Sequence, residues 1–251
     1  MIHFVGAGSG AEDLITVRGQ RLLKEADVII YAGSLVNEGH LAIAKEGCRI
    51  LNSASMTLEE VIEEMKAAEK AGKMTVRLHT GDPSIYGAHR EQMDLLDQAG
   101  IPYKVVPGVS SFCGAAAALK AEYTLPDVSQ TVIITRMAGR TPVPPLEEIS
   151  LLAKHQATMV IFLSTGMLEE LTQRLLAGGY EEDTPAAIVY KATWPEEKTF
   201  RGTVGTIAKI AKENNITKTA LILVGNFLGD EYDRSKLYDP GFSHEFREAK
   251  K

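Results

Sequence analysis

The chain has 251 residues, of which 45% are hydrophobic and 24% charged, with a formal net charge of -6. That length allows one large domain or two small α/β domains with buried cores, and the acidic balance excludes broad nucleic-acid binding, because a phosphate backbone demands a basic face. The two cysteines, Cys48 and Cys113, form no C-x-x-C pair, so neither a zinc site nor a disulfide framework is signalled, and a reducing cytoplasm is expected. The start, Met1-Ile2-His3-Phe4-Val5, enters a strand at once without the basic stretch and cleavage site of a signal peptide. No apolar run approaches the roughly 20 residues needed to span a bilayer, so no membrane partner is expected.

In chain order, short runs rich in Val and Ile alternate with segments of helical period, the pattern of an α/β fold with largely parallel sheets. Strands are expected at 2–5, 28–31, 49–51, 74–79 and 103–106, with helices between them. The clearest helix starts at Thr57, where Thr57-Leu58-Glu59-Glu60 spells a capping box; Val61, Met65 and Ala68 then share a face and Gly72 supplies the stop. The stretch 121–129 breaks the pattern and reads as a domain linker. Beyond it, strands are expected from 131, near 159–163, 187–191, 198–202 and 221–224, and a helix at 167–177 ended by Gly178-Gly179. Residues 199–203 follow the turn Trp194-Pro195-Glu196-Glu197 like the return arm of a hairpin, which makes this second sheet mixed. The expected division is therefore 1–120, 121–242 and a charged tail, 243–251.

Three strand exits carry candidate chemistry. Gly6-x-Gly8-x-x-Ala11 follows a strand and passes a loose dinucleotide-loop test, but the acidic residue that should end the second strand is missing: Asp27 precedes Val28-Ile29-Ile30. A tight turn whose glycines serve backbone geometry is an equal reading. Thr80-Gly81-Asp82-Pro83 leaves another strand at its carboxyl end, where open α/β sheets bind ligands; Gly81 permits close approach and Asp82 attracts a positive group, while the alternative is an Asp-Pro turn and nothing more. Pro107-Gly108-Val109-Ser110-Ser111 leads into the small-residue helix around Gly114-Ala115-Ala116-Ala117-Ala118, and its serines either hold a polar ligand group or simply cap that helix. The six histidines form no metal-binding cluster and there is no G-x-S-x-G elbow, so neither a metal site nor hydrolase chemistry is expected. Arg77, His79, Tyr86, His89, Arg90, Arg136, Arg140, Lys191 and Arg201 gather near strand ends, mostly as surface charges, with a minority suited to a polycarboxylate.

Read together, these segments resemble the tetrapyrrole methyltransferases, and within them the precorrin-4 and cobalt-precorrin-4 C11-methyltransferases of cobalamin biosynthesis. The residues that carry the resemblance are Val5-Gly6-Ala7-Gly8-Ser9-Gly10 through Asp13-Leu14-Ile15-Thr16, then Tyr31-Ala32-Gly33-Ser34-Leu35-Val36, His79-Thr80-Gly81-Asp82-Pro83-Ser84-Ile85-Tyr86-Gly87 and Pro107-Gly108-Val109-Ser110-Ser111-Phe112. Leu125-Pro126-Asp127, Gln130-Thr131-Val132-Ile133-Ile134-Thr135-Arg136, Gly139-Arg140-Thr141-Pro142 and Tyr190-Lys191-Ala192-Thr193-Trp194-Pro195 mark the subgroup. The resemblance implies two α/β domains with an active-site cleft between them, a homodimer, a tetrapyrrole substrate, and S-adenosylmethionine as methyl donor, leaving as S-adenosylhomocysteine. It implies cofactor contacts at Ser9, Gly81, Asp82, Ile85, Ser110, Ser111, Leu163, Ala192 and Leu221, with the glycine loop lining a substrate trough. Tyr86, Arg136 and Arg140 are the candidate substrate contacts. No catalytic base carries over, because the stretch after the second strand reads Ala32-Gly33 where a related class has aspartate.

The rival readings are an NAD-dependent oxidoreductase using the Gly6 loop and a non-catalytic tetrapyrrole carrier. The first should bind NAD and ignore S-adenosylmethionine; the second should bind the macrocycle without methyl transfer.

Overall fold

The computed structural model describes residues 1–33 and 35–249, so Ser34 of the motif after the second strand, and Lys250 and Lys251 of the charged tail, lie outside the described residues. The chain forms two compact units: Met1–Gly114 with Ala192–Glu196, and Ala115–Lys191 with Glu197–Lys251.

In the first unit the elements run β1 (Ile2–Gly6), α1 (Val17–Glu25), β2 (Val28–Tyr31), β3 (Arg49–Asn52), α2 (Leu58–Lys70), β4 (Thr75–His79), α3 (Arg90–Gln98) and β5 (Tyr103–Val106), and α4 (Ser111–Leu119) begins there. The sheet order is β3-β2-β4-β1-β5, and every pairing is parallel. Strand side chains alternate between two covered faces, as a parallel sheet requires. Val5, Ile29, Tyr31, Val76 and Leu78 pack with Leu22 and Leu23 of α1, whereas Ile2, Phe4, Val28 and Ile30 pack with Val61, Ile62 and Met65 of α2 and Leu96 of α3. The capping box of α2 is formed as its sequence spells: the Glu60 amide donates to Thr57 Oγ1 at 3.3 Å, and the Thr57 amide donates to Glu60 Oε2 at 2.7 Å. Such a cap contributes about 1 kcal/mol.

The second unit contains β6 (Val132–Arg136), α5 (Ile149–Ala153), β7 (Thr158–Phe162), α6 (Leu168–Ala177), β8 (Pro185–Tyr190), β9 (Lys198–Thr203), α7 (Ile207–Glu213) and β10 (Ala220–Val224). Its sheet, β6-β7-β10-β8-β9, is mixed: β6 and β7 are parallel, and β10 and β9 pair antiparallel with their neighbours. Met159, Ile161, Ile188 and Ile222 face Ile149 of α5, Leu171 and Leu175 of α6 and Ile207 of α7. By alternation, Leu221 points to the opposite face.

Residues 121–129 are built into this second unit. Thr158 Oγ1 donates to the Tyr123 carbonyl at 2.8 Å, the Thr158 amide donates to Ser129 Oγ at 3.0 Å, and the Tyr123 and Phe227 rings lie 5.3 Å apart. The division between the units falls at Gly114/Ala115, inside α4. Two strands also stop one residue short of expectation. Leu163 (φ 53°) and Lys191 (φ 47°) adopt left-handed backbone, which breaks the pairing ladder after Phe162 and Tyr190.

Candidate active site

The exits of β1, β4 and β5 meet so closely that only glycine fits. A Cβ on Gly6 would stand 2.6 Å from both the Gly81 oxygen and Gly108 Cα, and one on Gly108 would collide with the Gly81 oxygen. Gly8 (φ 87°) and Gly81 bridge the loops reciprocally: the Gly81 amide donates to the Gly8 carbonyl at 2.8 Å and the Gly8 amide to the Gly81 carbonyl at 3.3 Å. The chain then makes only a short turn at Glu12–Leu14, and α1 starts at Val17, capped by Thr16. No α-helix N-terminus follows the glycines directly, so the loop lacks the macrodipole that holds a pyrophosphate. Asp27 is also committed elsewhere, accepting from the Met74 amide at 2.7 Å and from Lys45 Nζ at 2.6 Å. The glycines therefore serve a turn.

Asp82 is the best-held ionised group at these strand ends. Its Oδ2 accepts from the Gly108 amide at 2.8 Å, and its Oδ1 accepts from the Ser84 amide at 2.8 Å and from the Ser84 hydroxyl. Burial alone would raise its pKa, but these donors outweigh burial and hold it below the usual carboxylate value. Gly81 before it has φ 58°, a conformation that favours glycine. After it come half-buried Ile85 and then Tyr86, 45% exposed at φ 54°. Ser110 is buried at the head of α4, where its carbonyl accepts from the Cys113 amide at 3.0 Å, and Ser111 opens the helix.

Ser9 and Ala192 belong to the same unit, and Thr193 joins the segments that carry them. Thr193 Oγ1 lies 2.9 Å from Ser9 Oγ and accepts from the Ala11 amide at 3.1 Å. A Cβ on Gly10 would collide with the Trp194 ring, and one on Gly114 would lie 2.9 Å from both Ser9 Oγ and Thr193 Cγ2. Residues 192–196 are thus packed into the first unit by side chains remote in sequence. Sequence reasoning did not single out Thr193, because no local pattern pairs residues 184 positions apart.

In the second unit, Leu163 directly follows β7 and is 64% exposed, an unusual combination with its left-handed backbone. Leu221 is buried in β10. Arg136 points its guanidinium at its own loop: Nη1 donates to the Met137 and Thr141 carbonyls, both at 3.1 Å, and Nη2 donates to Pro142 at 2.7 Å. It thereby shapes the loop that presents exposed Arg140.

Behind the exit of β4 lie two buried polar side chains on the α2/α3 face. Burial lowers the Arg77 pKa to about 10, still well above neutrality. Burial, followed by the charges of Arg77 and His89, lowers that of His79 to about 3, so this imidazole is neutral. Its ring lies 6.0 Å from Phe4 and 5.8 Å from His89.

The family model described as Tetrapyrrole (Corrin/Porphyrin) Methylases matches residues 1–208. The chain belongs to this family. It is 55% identical over 251 residues to the cobalt-precorrin-4 C(11)-methyltransferase of Methanocaldococcus jannaschii, covering 100% of this methylase and 97% of that protein. An X-ray structure of a cobalt precorrin-4 methyltransferase, a cobalamin biosynthetic enzyme, superposes with a TM-score of 0.90 at 48% identity, covering 91% of this chain and 96% of that one. The uroporphyrin-III C-methyltransferase of Thermus thermophilus, solved with S-adenosylhomocysteine, superposes with a TM-score of 0.75 at 25% identity, covering 90% and 92%. This methylase is an S-adenosylmethionine-dependent C-methyltransferase. Among the described residues no helix is long and apolar enough to cross a membrane.

Proposed function

We propose that this methylase transfers the methyl group of S-adenosylmethionine to C11 of precorrin-4, as its cobalt chelate or metal-free, in the building of the corrin ring. The observation that carries the reading is Asp82, an ionised carboxylate pinned by backbone amides beside a left-handed glycine at the carboxyl edge of a parallel sheet. That edge is where such sheets take ligands. The residues fit S-adenosylmethionine: Asp82 matches a cationic group, Gly81 admits close approach to the backbone, and the hydroxyls of Ser9, Ser110 and Ser111 suit its polar ends.

We assign Ser9, Gly81, Asp82, Ile85, Ser110, Ser111 and Ala192 of the first unit as cofactor contacts, with Leu163 and Leu221 as the second unit's candidates. Tyr86, Arg136 and Arg140 are assigned to the tetrapyrrole, Arg136 through the loop it shapes. When bound, S-adenosylmethionine supplies an electrophilic methyl on a sulfonium whose neutral thioether leaves, and the electron-rich ring carbon is the nucleophile. The protein's task is alignment and exclusion of water, and we assign no side chain as acid or base. Asp82 orients by charge from a fixed position, so it need not reorganise when the ligand arrives. The assembly we propose is a homodimer, tested by light scattering after gel filtration. The compartment is the cytoplasm, consistent with the two free thiols and tested by cell fractionation.

The decisive experiment incubates the purified protein with labelled S-adenosylmethionine and either form of the tetrapyrrole, and locates the label by mass spectrometry and NMR. One methyl at C11 is expected, with the cobalt form as the first substrate to try. A methyl at another carbon, or binding of NAD without binding of S-adenosylmethionine, would overturn the reading.

A further inference from the structure

Arg77 is a buried cation whose described hydrogen bonds go to neutral groups. Its Nη1 donates to the Ile30 carbonyl at 3.2 Å and its Nε donates to Gln92 Oε1 at 3.1 Å. Gln92, at the start of α3 and also buried, donates from Nε2 to the Ala88 carbonyl at 3.0 Å. The direction of the chain is fixed by chemistry: a guanidinium only donates, so the amide oxygen of Gln92 must face it, and the amide nitrogen is left for an acceptor. That acceptor belongs to a strained loop. Both Tyr86 (φ 54°) and Ala88 (φ 46°) adopt left-handed backbone, and Gly87 between them passes so near Pro83 that a Cβ would collide with its carbonyl. Left-handed non-glycine residues persist only where surrounding structure over-determines them. Buried His79 lies beside the same loop, its ring 5.8 Å from that of His89.

We propose that Arg77 and Gln92 form a buried relay that positions the segment 86–89, and with it the Tyr86 side chain, for the tetrapyrrole. They are positioning residues, acting through the Ala88 carbonyl. The inference rests on the assignment of Tyr86 to the substrate. The cofactor side of the same loop has its own anchor in Asp82, bonded to Ser84 and Gly108. Ile85, assigned to the cofactor, is held on that side, its amide donating to the Asp82 carbonyl at 3.2 Å, so the relay sets tetrapyrrole binding while leaving cofactor binding intact.

The relay has two links that substitution separates. Gln92→Glu keeps an acceptor for Arg77, now as an ion pair, but removes the donor to Ala88; Gln92→Met removes both. Hydrogen exchange of the full-length protein, read by mass spectrometry, should show residues 86–89 exchanging about tenfold faster in both variants, while the strands keep their protection. Gln92→Glu should hold the wild-type melting temperature, and Gln92→Met should lower it. In methyl-transfer assays Gln92→Glu should raise KM for the tetrapyrrole about tenfold, with kcat and the affinity for S-adenosylmethionine within about twofold of wild type. Wild-type exchange at 86–89 in Gln92→Glu, or faster exchange spread evenly through the sheet, would overturn the relay. Faster loop exchange with unchanged KM would overturn its link to the substrate. Failure of the unaltered protein to methylate the tetrapyrrole would instead defeat the proposed function, and the exchange result would still decide the relay.

Discussion

Thr193 Oγ1 lies 2.9 Å from Ser9 Oγ and also takes the Ala11 amide, so one hydroxyl fastens the glycine loop to a segment 184 residues away. Thr193 has φ 67°, a costly conformation for a β-branched residue, and it is kept where it bonds. Thr193→Val leaves the Ser9 hydroxyl and the Ala11 amide without this partner. It should cost about 1–3 kcal/mol in urea unfolding and weaken S-adenosylmethionine in calorimetry. Thr193→Ser should recover most of both. Equal behaviour of the two variants would mean that the hydroxyl is dispensable.

Removing the Asp82 carboxylate should weaken both the fold and the binding of the cofactor. Asp82→Ala leaves the Gly108 and Ser84 amides without their acceptor, at a cost of about 1–3 kcal/mol. Its affinity for S-adenosylmethionine should fall at least about tenfold, the scale of a lost charge-assisted contact. Unchanged affinity in a titration would show that the cofactor site has been misassigned.

Leu163 pairs an exposed apolar side chain with φ 53°, so it carries two unfavourable features at once. Leu163→Gly should relieve the backbone strain and leave stability unchanged or higher by about 1 kcal/mol. If Leu163 contacts the cofactor, the same variant should bind S-adenosylmethionine more weakly. A clear loss of stability in the ligand-free protein would contradict this account.

Acid should destabilise the fold in a window set largely by His79. Burial holds its folded pKa at about 3, below the ordinary histidine value of about 6.5, so between those values the unfolded chain binds the extra proton. Stability from this residue is present above about pH 6.5 and is lost as pH falls, by up to about 1.4 kcal/mol per unit, or about 2 kcal/mol by pH 5. His3 and His40 are shifted downward by burial and act with the same sign. Asp82, also held below its ordinary value, loses its contribution as pH falls through its folded pKa. Urea midpoints measured across this range for wild type and His79→Phe should converge toward acid; parallel curves would refute the role given to His79.

Packing at the strand exits should make glycine obligatory at Gly6. Gly6→Ala drives a methyl to 2.6 Å from the backbone of Gly81 and Gly108, and overpacking of rigid backbone should cost about 1–3 kcal/mol or more. At Gly166 the nearest atom to an added Cβ is the Thr217 oxygen at 3.6 Å, so Gly166→Ala is the matched control and should be tolerated. Comparable thermal shifts in the two variants would dispose of the argument.

Much of the molecule is written locally. Every strand expected from a Val- and Ile-rich run is present to within a residue or two, and the Thr57 capping box forms as spelled, because periodicity and capping depend on neighbours along the chain. The missing acidic residue after β2 already weakened the reading as a dinucleotide loop, and the late start of α1 tells against it on independent ground. The strand ends at Phe162 and Tyr190 were not legible, since nothing in Leu163 or Lys191 announces a left-handed backbone that surrounding structure imposes.

Periodicity and residue types at fixed spacing made the two α/β halves and the family legible, together with the segments proposed to hold the ligands. Three-dimensional packing brings remote segments together. It placed residues 192–196 in the first unit through Thr193 and Trp194, pinned Asp82 to Gly108, and turned Arg77 inward to Gln92. Such pairings are invisible in one dimension. They arise when buried hydrogen-bonding groups find partners across the sheet and when backbones approach until only glycine fits.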